Sequence, residues 1–333
     1  MSPDDTLTTG EEPAPAMTSA PAGGDATRLG RALVHNLQSV VRGTPGACRL
    51  AATAVLAGGH LLIEDVPGVG KTMLAKAVAA SIGTALARIQ GHPDLLPSDI
   101  TGISVYNEGT RDWEFRPGPV FSHVVLFDEL NRTPPRSQAA LLESMEERQV
   151  SVDGRSWPLP VPHLVLATQN PVEQAGTYPL VESQMDRFLL STRLGYPDAA
   201  TEAALAKERG AQLALTRVTA VATPSELAAA EEEVAELHVH EAVAEYAVAI
   251  VRASRSAPDV RLGASPRAAI ALIAAARAEA VLNGRAYVTP GDVKRVAPAA
   301  LGHRLGIDSA GASIEAGIGV VRRLVEQVPA PRP

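Results

Sequence analysis

Apolar residues along the chain follow two rhythms. Up to about residue 190, short unbroken apolar runs alternate with stretches whose apolar positions recur at helical spacing. The runs His60-Leu61-Leu62-Ile63, Val124-Val125-Leu126-Phe127, Leu164-Val165-Leu166-Ala167 and Phe188-Leu189-Leu190 predict buried strands, and Ala85 to Gln90 predicts another. Helical spacing places Leu29, Leu33 and Leu37 on one stripe, with Gly43 and Gly46 as breaks before Gly59. It also predicts a helix from Met73 to Val78 and one begun by Thr133-Pro134-Pro135, with Leu141, Leu142 and Met145 buried. Two hairpins are predicted. One runs from Ile103 to Phe115 around Asn107-Glu108-Gly109, and the other turns at Asp153-Gly154. From about Pro197 the strand-like runs give way to alanine-rich helices, with Ser265-Pro266 and Thr289-Pro290 as starts and Asn283-Gly284 as a stop. Strands alternating with helices, then helices alone, predict an α/β class chain: a parallel αβα sandwich over 28–196 and a helical domain over 197–333. Beyond Met1, residues 1–27 carry only Leu7 and Met17 as large apolar side chains and are expected to be a disordered tail.

Composition narrows the class. Of 333 residues, 46% are hydrophobic but only 3% aromatic, so the core must be mostly aliphatic. The formal net charge of -7 argues against a general nucleic-acid binder. A single cysteine, Cys48, cannot form an intrachain disulfide. No signal-like start and no apolar run near the ~18 residues of a membrane span are visible, so the expectation is a cytoplasmic protein without membrane insertion.

The chemistry centres on Glu64-Asp65-Val66-Pro67-Gly68-Val69-Gly70-Lys71-Thr72, between a predicted strand and a predicted helix. This is the context of a phosphate-binding loop. Gly68 and Gly70 let backbone N–H groups turn onto a phosphate, and the helix start adds its own free N–H groups. Lys71 is placed to reach the β- and γ-phosphates, and Thr72 to hold Mg2+. Pro67, Gly68, Val69, Gly70, Lys71, Thr72 and Met73 are the expected nucleotide-binding residues. Asp65 departs from the strict pattern, which has glycine there. Asp128-Glu129 closes a predicted strand, where ligands of open α/β sheets bind. One carboxylate can hold Mg2+, and the other can orient and polarise an attacking water. Asn170, after the next strand, can hydrogen-bond that water or the γ-phosphate, or be a turn residue before proline. Arg267 stands in the first turn of a helix, where a cation opposes the helix dipole; an anionic ligand would explain it, and a solvated arginine is the other reading. Arg187 precedes the last predicted strand; a pair with Asp186 or Glu182 is its other reading. His238-Val239-His240 lacks an evident third metal ligand, and Glu231-Glu232-Glu233 reads as a solvated helix face. Trp113 and Phe115 read as hairpin packing, or as a grip on a client.

These residues resemble the MoxR-type AAA+ ATPases over about 30–325. The matching text includes Gly59 to Thr72, Pro93 to Gly102, Glu114 to Pro119, Asp128 to Arg132, Gln138 to Glu143, Ala167 to Pro171, Gly176 to Leu180, Asp186 to Phe188 and Gly263 to Ala268. Val181 and Met185 stand where that family usually has proline and leucine. The resemblance implies a five-stranded sheet of order 5-1-4-3-2 followed by a small all-α lid. It implies Lys71 and Thr72 in Walker A, Asp128 and Glu129 in Walker B, Asn170 as sensor 1, Arg187 as arginine finger and Arg267 as sensor 2. It further implies ATP and Mg2+ as ligands, a hexameric chaperone-like remodelling ATPase, and partners carrying a von Willebrand factor A domain. Two other functions use much the same motifs: the ATPase subunit of a metal-chelatase-like complex, and a nucleotide-dependent switch with little turnover.

Overall fold

The computed structural model describes residues 24–170, 176–207, 214–307 and 314–331; of the expected 1–27 tail, residues 1–23 lie outside them. Five parallel strands form the central sheet: β1 (Leu61–Glu64), β2 (Leu86–Gln90), β5 (Val124–Asp128), β8 (Leu164–Gln169) and β9 (Leu190–Thr192). Their order is β2-β5-β8-β1-β9. Counting these five strands in chain order, that is the expected 5-1-4-3-2 read from the other edge.

The apolar runs are continuous because both faces of the sheet are covered. Alternate residues still divide between two cores. Leu61, Ile63, Val124, Leu126, Leu164 and Leu166 face one core, with α1 (Asp25–Val40), α2 (Pro45–Leu56), α3 (Lys71–Ser81) and the C-terminal helices. Leu62, Val125, Phe127, Val165 and Ala167 face the other, with Leu141, Leu142 and Met145 of α5 (Pro135–Glu147). The short α4 (Pro97–Thr101) adds Ile100 there. Together they make an αβα sandwich.

Several boundaries differ from the pattern-based expectation. Helix α1 begins at Asp25, inside the expected tail, because Ala26 is buried and the Thr27 hydroxyl donates to the Val281 carbonyl. Glu233 accepts from the Ala26 N–H, so the Glu231-Glu232-Glu233 run is not simply a solvated face. Gly46 is no breaker. Pro45 starts α2 and Gly46 lies within it, while Gly43, at φ +80°, makes the turn. The last core strand begins at Leu190, two residues late. Phe188 and Leu189 are buried, but Phe188 closes a turn through its N–H to Met185.

Both hairpins form. β3 (Gly102–Asn107) pairs with β4 (Asp112–Pro117), and β6 (Gln149–Val152) with β7 (Arg155–Pro158). Asp153 and Gly154 both take positive φ, as a tight two-residue turn requires. The hairpins meet at Phe115 and Trp157, whose rings stack at 4.6 Å, and flank a cavity of about 380 Å3 that Trp113 also lines.

Beyond α6 (Glu182–Met185), the C-terminal part is helical: α7 (Ala199–Lys207), α8 (Pro224–Ala235), α9 (Glu241–Ser254), α10 (Pro266–Leu282), α11 (Pro290–Leu301) and α12 (Ile314–Gln327). Ser265 and Thr289 cap their helices as the sequence implied, through bonds from Ala268 N and Asp292 N. The part is not purely helical, since β10 (Val260–Leu262) and β11 (Gly306–Ile307) form a short antiparallel ribbon. His240 caps α9 by accepting from Ala242 N, a structural use of the His-Val-His run. No helix among the described residues is long and apolar enough to cross a membrane.

Candidate functional site

Strand order decides which loops meet. The C-terminal ends of β5, β8 and β1 lie side by side, so Asp128-Glu129, Asn170 and the loop after β1 converge. They line one cavity of about 310 Å3, with Pro67, Gly68, Gly70, Lys71, Thr72 and Met73 opposite Asp128, Glu129 and Asn170. Val69 does not line it; its side chain packs against the core.

Gly68 and Gly70 have φ of +87° and +104°, and a Cβ on Gly68 would meet nothing within 4 Å. The loop therefore turns through left-handed glycines beside open space, a shape that suits a phosphate. Lys71 Nζ donates to the Asp65 carbonyl at 2.7 Å. Burial lowers the Lys71 pKa, opposed by the nearby Asp128, Asp65 and Glu129 charges.

Asp65 explains its own departure from the glycine pattern. Its buried carboxylate accepts from Val66 N at 2.8 Å and from Leu194 N and Gly195 N at 2.7 Å each. It ties the start of the phosphate loop to the segment leading into the helical part. The preceding Glu64 does the same further on, accepting from Ile314 N at the start of α12. Burial raises the Glu64 pKa.

The acidic pair is held by neighbours that sequence reading missed. Thr168 Oγ1 donates to Asp128 Oδ1 at 2.8 Å and accepts from Glu129 N at 2.9 Å. Arg88 pairs with Asp128 Oδ2 at 2.8 Å, and Gln90 Nε2 donates to Glu129 Oε2 at 3.0 Å. Arg88 and Gln90 are two apart on β2, hence on one face, but only the β2–β5 pairing shows which acids they meet. Glu129 itself sits at φ 58°, ψ 50°, a left-handed conformation uncommon for a side chain of its size. Asn170 is buried, and its backbone is held by Asn131, whose side chain donates to Asn170 O and accepts from Asn170 N.

The donor set suits Mg2+. The Thr72 hydroxyl and Asp128 carboxylate line the same cavity and are hard oxygen ligands. Among the described residues no cluster of three or more His, Cys, Asp and Glu could cage a metal. A cation here would rest on few protein oxygens and on phosphate, the usual Mg2+ arrangement.

Arg187 and Arg267 are not among the residues lining this cavity. They lie together elsewhere, both on Glu146 of α5: Arg187 Nε to Oε2 and Arg267 Nη1 to Oε1, each at 2.9 Å. Arg187 therefore does form a salt bridge within the chain, but with Glu146 rather than with the expected Asp186 or Glu182. Asp186 pairs with the buried Arg304, and Glu182 with Arg261.

A parallel sheet of this order, a glycine loop between its first strand and helix, and paired carboxylates two strands away define a P-loop nucleotide-binding fold of the AAA+ class. The comparisons agree. Residues 60–190 match the ATPase family associated with various cellular activities (AAA), and residues 252–323 match the AAA lid domain. The chain is 47% identical over 277 residues to the uncharacterized protein YeaC of Bacillus subtilis (strain 168), covering 83% of this chain and 86% of that one. It is 38% identical to Chaperone MoxR1 of Mycobacterium tuberculosis over 89% of this chain and 81% of the other. It is 32% identical to Protein MoxR of Methylorubrum extorquens over 89% and 94%. The crystal structure of a candidate ATPase from Cytophaga hutchinsonii ATCC 33406 superposes with a TM-score of 0.80 at 34% identity, covering 92% of this chain and 97% of that one. The chain belongs to the MoxR family of AAA+ ATPases.

Proposed function

We propose that this protein hydrolyses ATP with Mg2+ and uses the cycle to remodel partner proteins, as a homo-oligomeric ring, most simply a hexamer. The reading rests chiefly on one observation. Lys71 and Thr72 face Asp128, Glu129 and Asn170 across one cavity of about 310 Å3, while the two arginines lie outside it.

Each residue then has a task. Gly68, Gly70 and the first N–H groups of α3 cradle the phosphates, and Lys71 neutralises their charge. Thr72 and Asp128 would hold Mg2+, which when bound adds positive charge at the phosphate oxygens. Glu129 orients and polarises the attacking water, and Asn170 helps place it. Arg187 and Arg267 would act on a phosphate bound by the neighbouring subunit. That division of labour requires a ring or another closed head-to-tail assembly. Partners with a von Willebrand factor A domain fit the family reading.

A steady-state ATPase assay tests the proposal. Glu129→Gln should keep ATP binding and lose at least about a hundredfold in turnover, because an amide cannot polarise water as a carboxylate does. Wild-type turnover in that variant would remove Glu129 from catalysis. Arg187→Ala should also be nearly inactive alone. Mixing it with Lys71→Ala subunits should restore some activity, because some interfaces then pair an intact loop with an intact arginine.

A further inference from the structure

We propose that Glu146 is a positioning residue that presets Arg187 and Arg267 as a single cationic pair for phosphate. The proposal rests on the reading that these arginines serve the nucleotide of a neighbouring subunit.

Three observations carry it. First, one carboxylate is divided between two guanidinium groups, an oxygen to each at 2.9 Å. Two cations brought this close would otherwise repel and splay apart. The carboxylate offsets one charge and leaves a pair with net positive charge. Second, Arg187 is fixed at a second point, since its Nη1 donates to the Ser183 carbonyl. Its Nη2 group has no partner among the described residues, which leaves a fixed N–H edge for an anion oxygen. Third, the three residues span two units. Glu146 lies in the last turn of α5 and Arg187 just after α6, both in the sandwich, whereas Arg267 stands in the first turn of α10 in the helical part. Glu146 thus sets where an arginine of the helical part stands relative to one of the sandwich.

A purely structural clasp is the competing explanation, and magnitude argues against it. The side chains of Glu146 and Arg267 are 31% and 60% exposed. Ion pairs so open to water add little stability. Arg267 also begins a helix whose dipole disfavours a cation there. Fixing the geometry of two arginines is the effect such a contact can deliver, because small misplacements of charged groups cost rate heavily in phosphoryl transfer.

The test uses the full-length protein with Glu146→Gln, which keeps the shape and removes the charge. The expected result is a fall in kcat of about ten- to a hundredfold. KM for ATP, melting temperature and oligomeric state should stay as in wild type, with KM shifted less than about twofold. Glu146→Asp, too short to span both arginines, should fall in between. Arg187→Ala is measured alongside. If it is inactive while Glu146→Gln turns over normally or faster, the positioning role is wrong and the arginine reading stands. If Glu146→Gln loses rate only in step with lost melting temperature or assembly, Glu146 is a clasp and the proposal fails. If Arg187→Ala is itself fully active, the arginine reading falls, and the proposal with it.

Discussion

Asp65 occupies a position where the general phosphate-loop pattern has glycine, yet it is one of the most constrained side chains in the molecule. Its buried carboxylate accepts three backbone N–H groups, two of them from Leu194 and Gly195. Asp65→Gly, which restores the general pattern, should therefore destabilise the protein. Unsatisfied buried donors cost about 1–3 kcal/mol each, so a loss of about 2–4 kcal/mol is expected, visible as a lower denaturation midpoint. An unchanged midpoint would show that water replaces the carboxylate without cost. The residues the sequence made legible share one property: their chemistry depends on near neighbours in the chain. Lys71, Thr72, Asp128 and Glu129 were visible because glycine spacing and strand ends are local signals. Arg88, Gln90, Thr168 and Glu146 were not, because each acts on a group about 40 residues or more away, a distance only the tertiary fold closes.

Elements were legible where burial was two-sided or capping was local. Each apolar run leads into a strand of the central sheet, the last one only from Leu190, and the Asp153-Gly154 turn and the Ser265 and Thr289 caps formed where the residues placed them. Errors fell where tertiary contacts override local signals. Helix α1 starts earlier than its composition implies because Ala26 and Thr27 are held by elements more than 200 residues away, through Glu233 and Val281. Truncation separates the two boundaries. Removing residues 1–27 takes away a buried alanine, a buried threonine and the first turn of α1, and should lower the melting temperature by several degrees, consistent with a loss of about 1–3 kcal/mol. Removing only residues 1–23 should leave it nearly unchanged, since that stretch offers little apolar surface to bury. Equal melting of both variants would show that the first turn of α1 contributes nothing.

The sheet as a whole has two chemically opposite ends. Its C-terminal end gathers Lys71, Thr72 and the Asp128-Glu129 pair around one cavity. Its N-terminal end carries His60, His123 and His163, each just before a core strand. Burial pushes the His60 pKa down to about 3, helped by His163 and Arg148, and lowers His163 as well. Their neutral forms support the fold above about pH 6.5, and that support is lost as pH falls toward the depressed values. On the same side, Glu231 of α8 is pushed up to about 7 by burial, against the pull of Arg148. Its sign is opposite: the folded state holds its proton, and that contribution is lost as pH rises from about 4.5 through 7. Glu231→Gln should therefore melt higher than wild type at about pH 8 and nearly with it at about pH 5. A scan at the two pH values checks this, and equal melting at both would place Glu231 in water.

Both tryptophans of the chain, Trp113 and Trp157, stand on the paired hairpins. Neither lines the phosphate cavity. Light emitted by the protein's own indoles therefore reports on the hairpins without any attached dye. Trp113 is 65% exposed, whereas Trp157 is shielded by stacking on Phe115. A soluble quencher should extinguish mainly the Trp113 component, and Trp113→Phe should leave an emission that is bluer and harder to quench. Whatever contacts the hairpins, a client or an adjacent protomer, then announces itself in the spectrum while nucleotide turnover is followed separately.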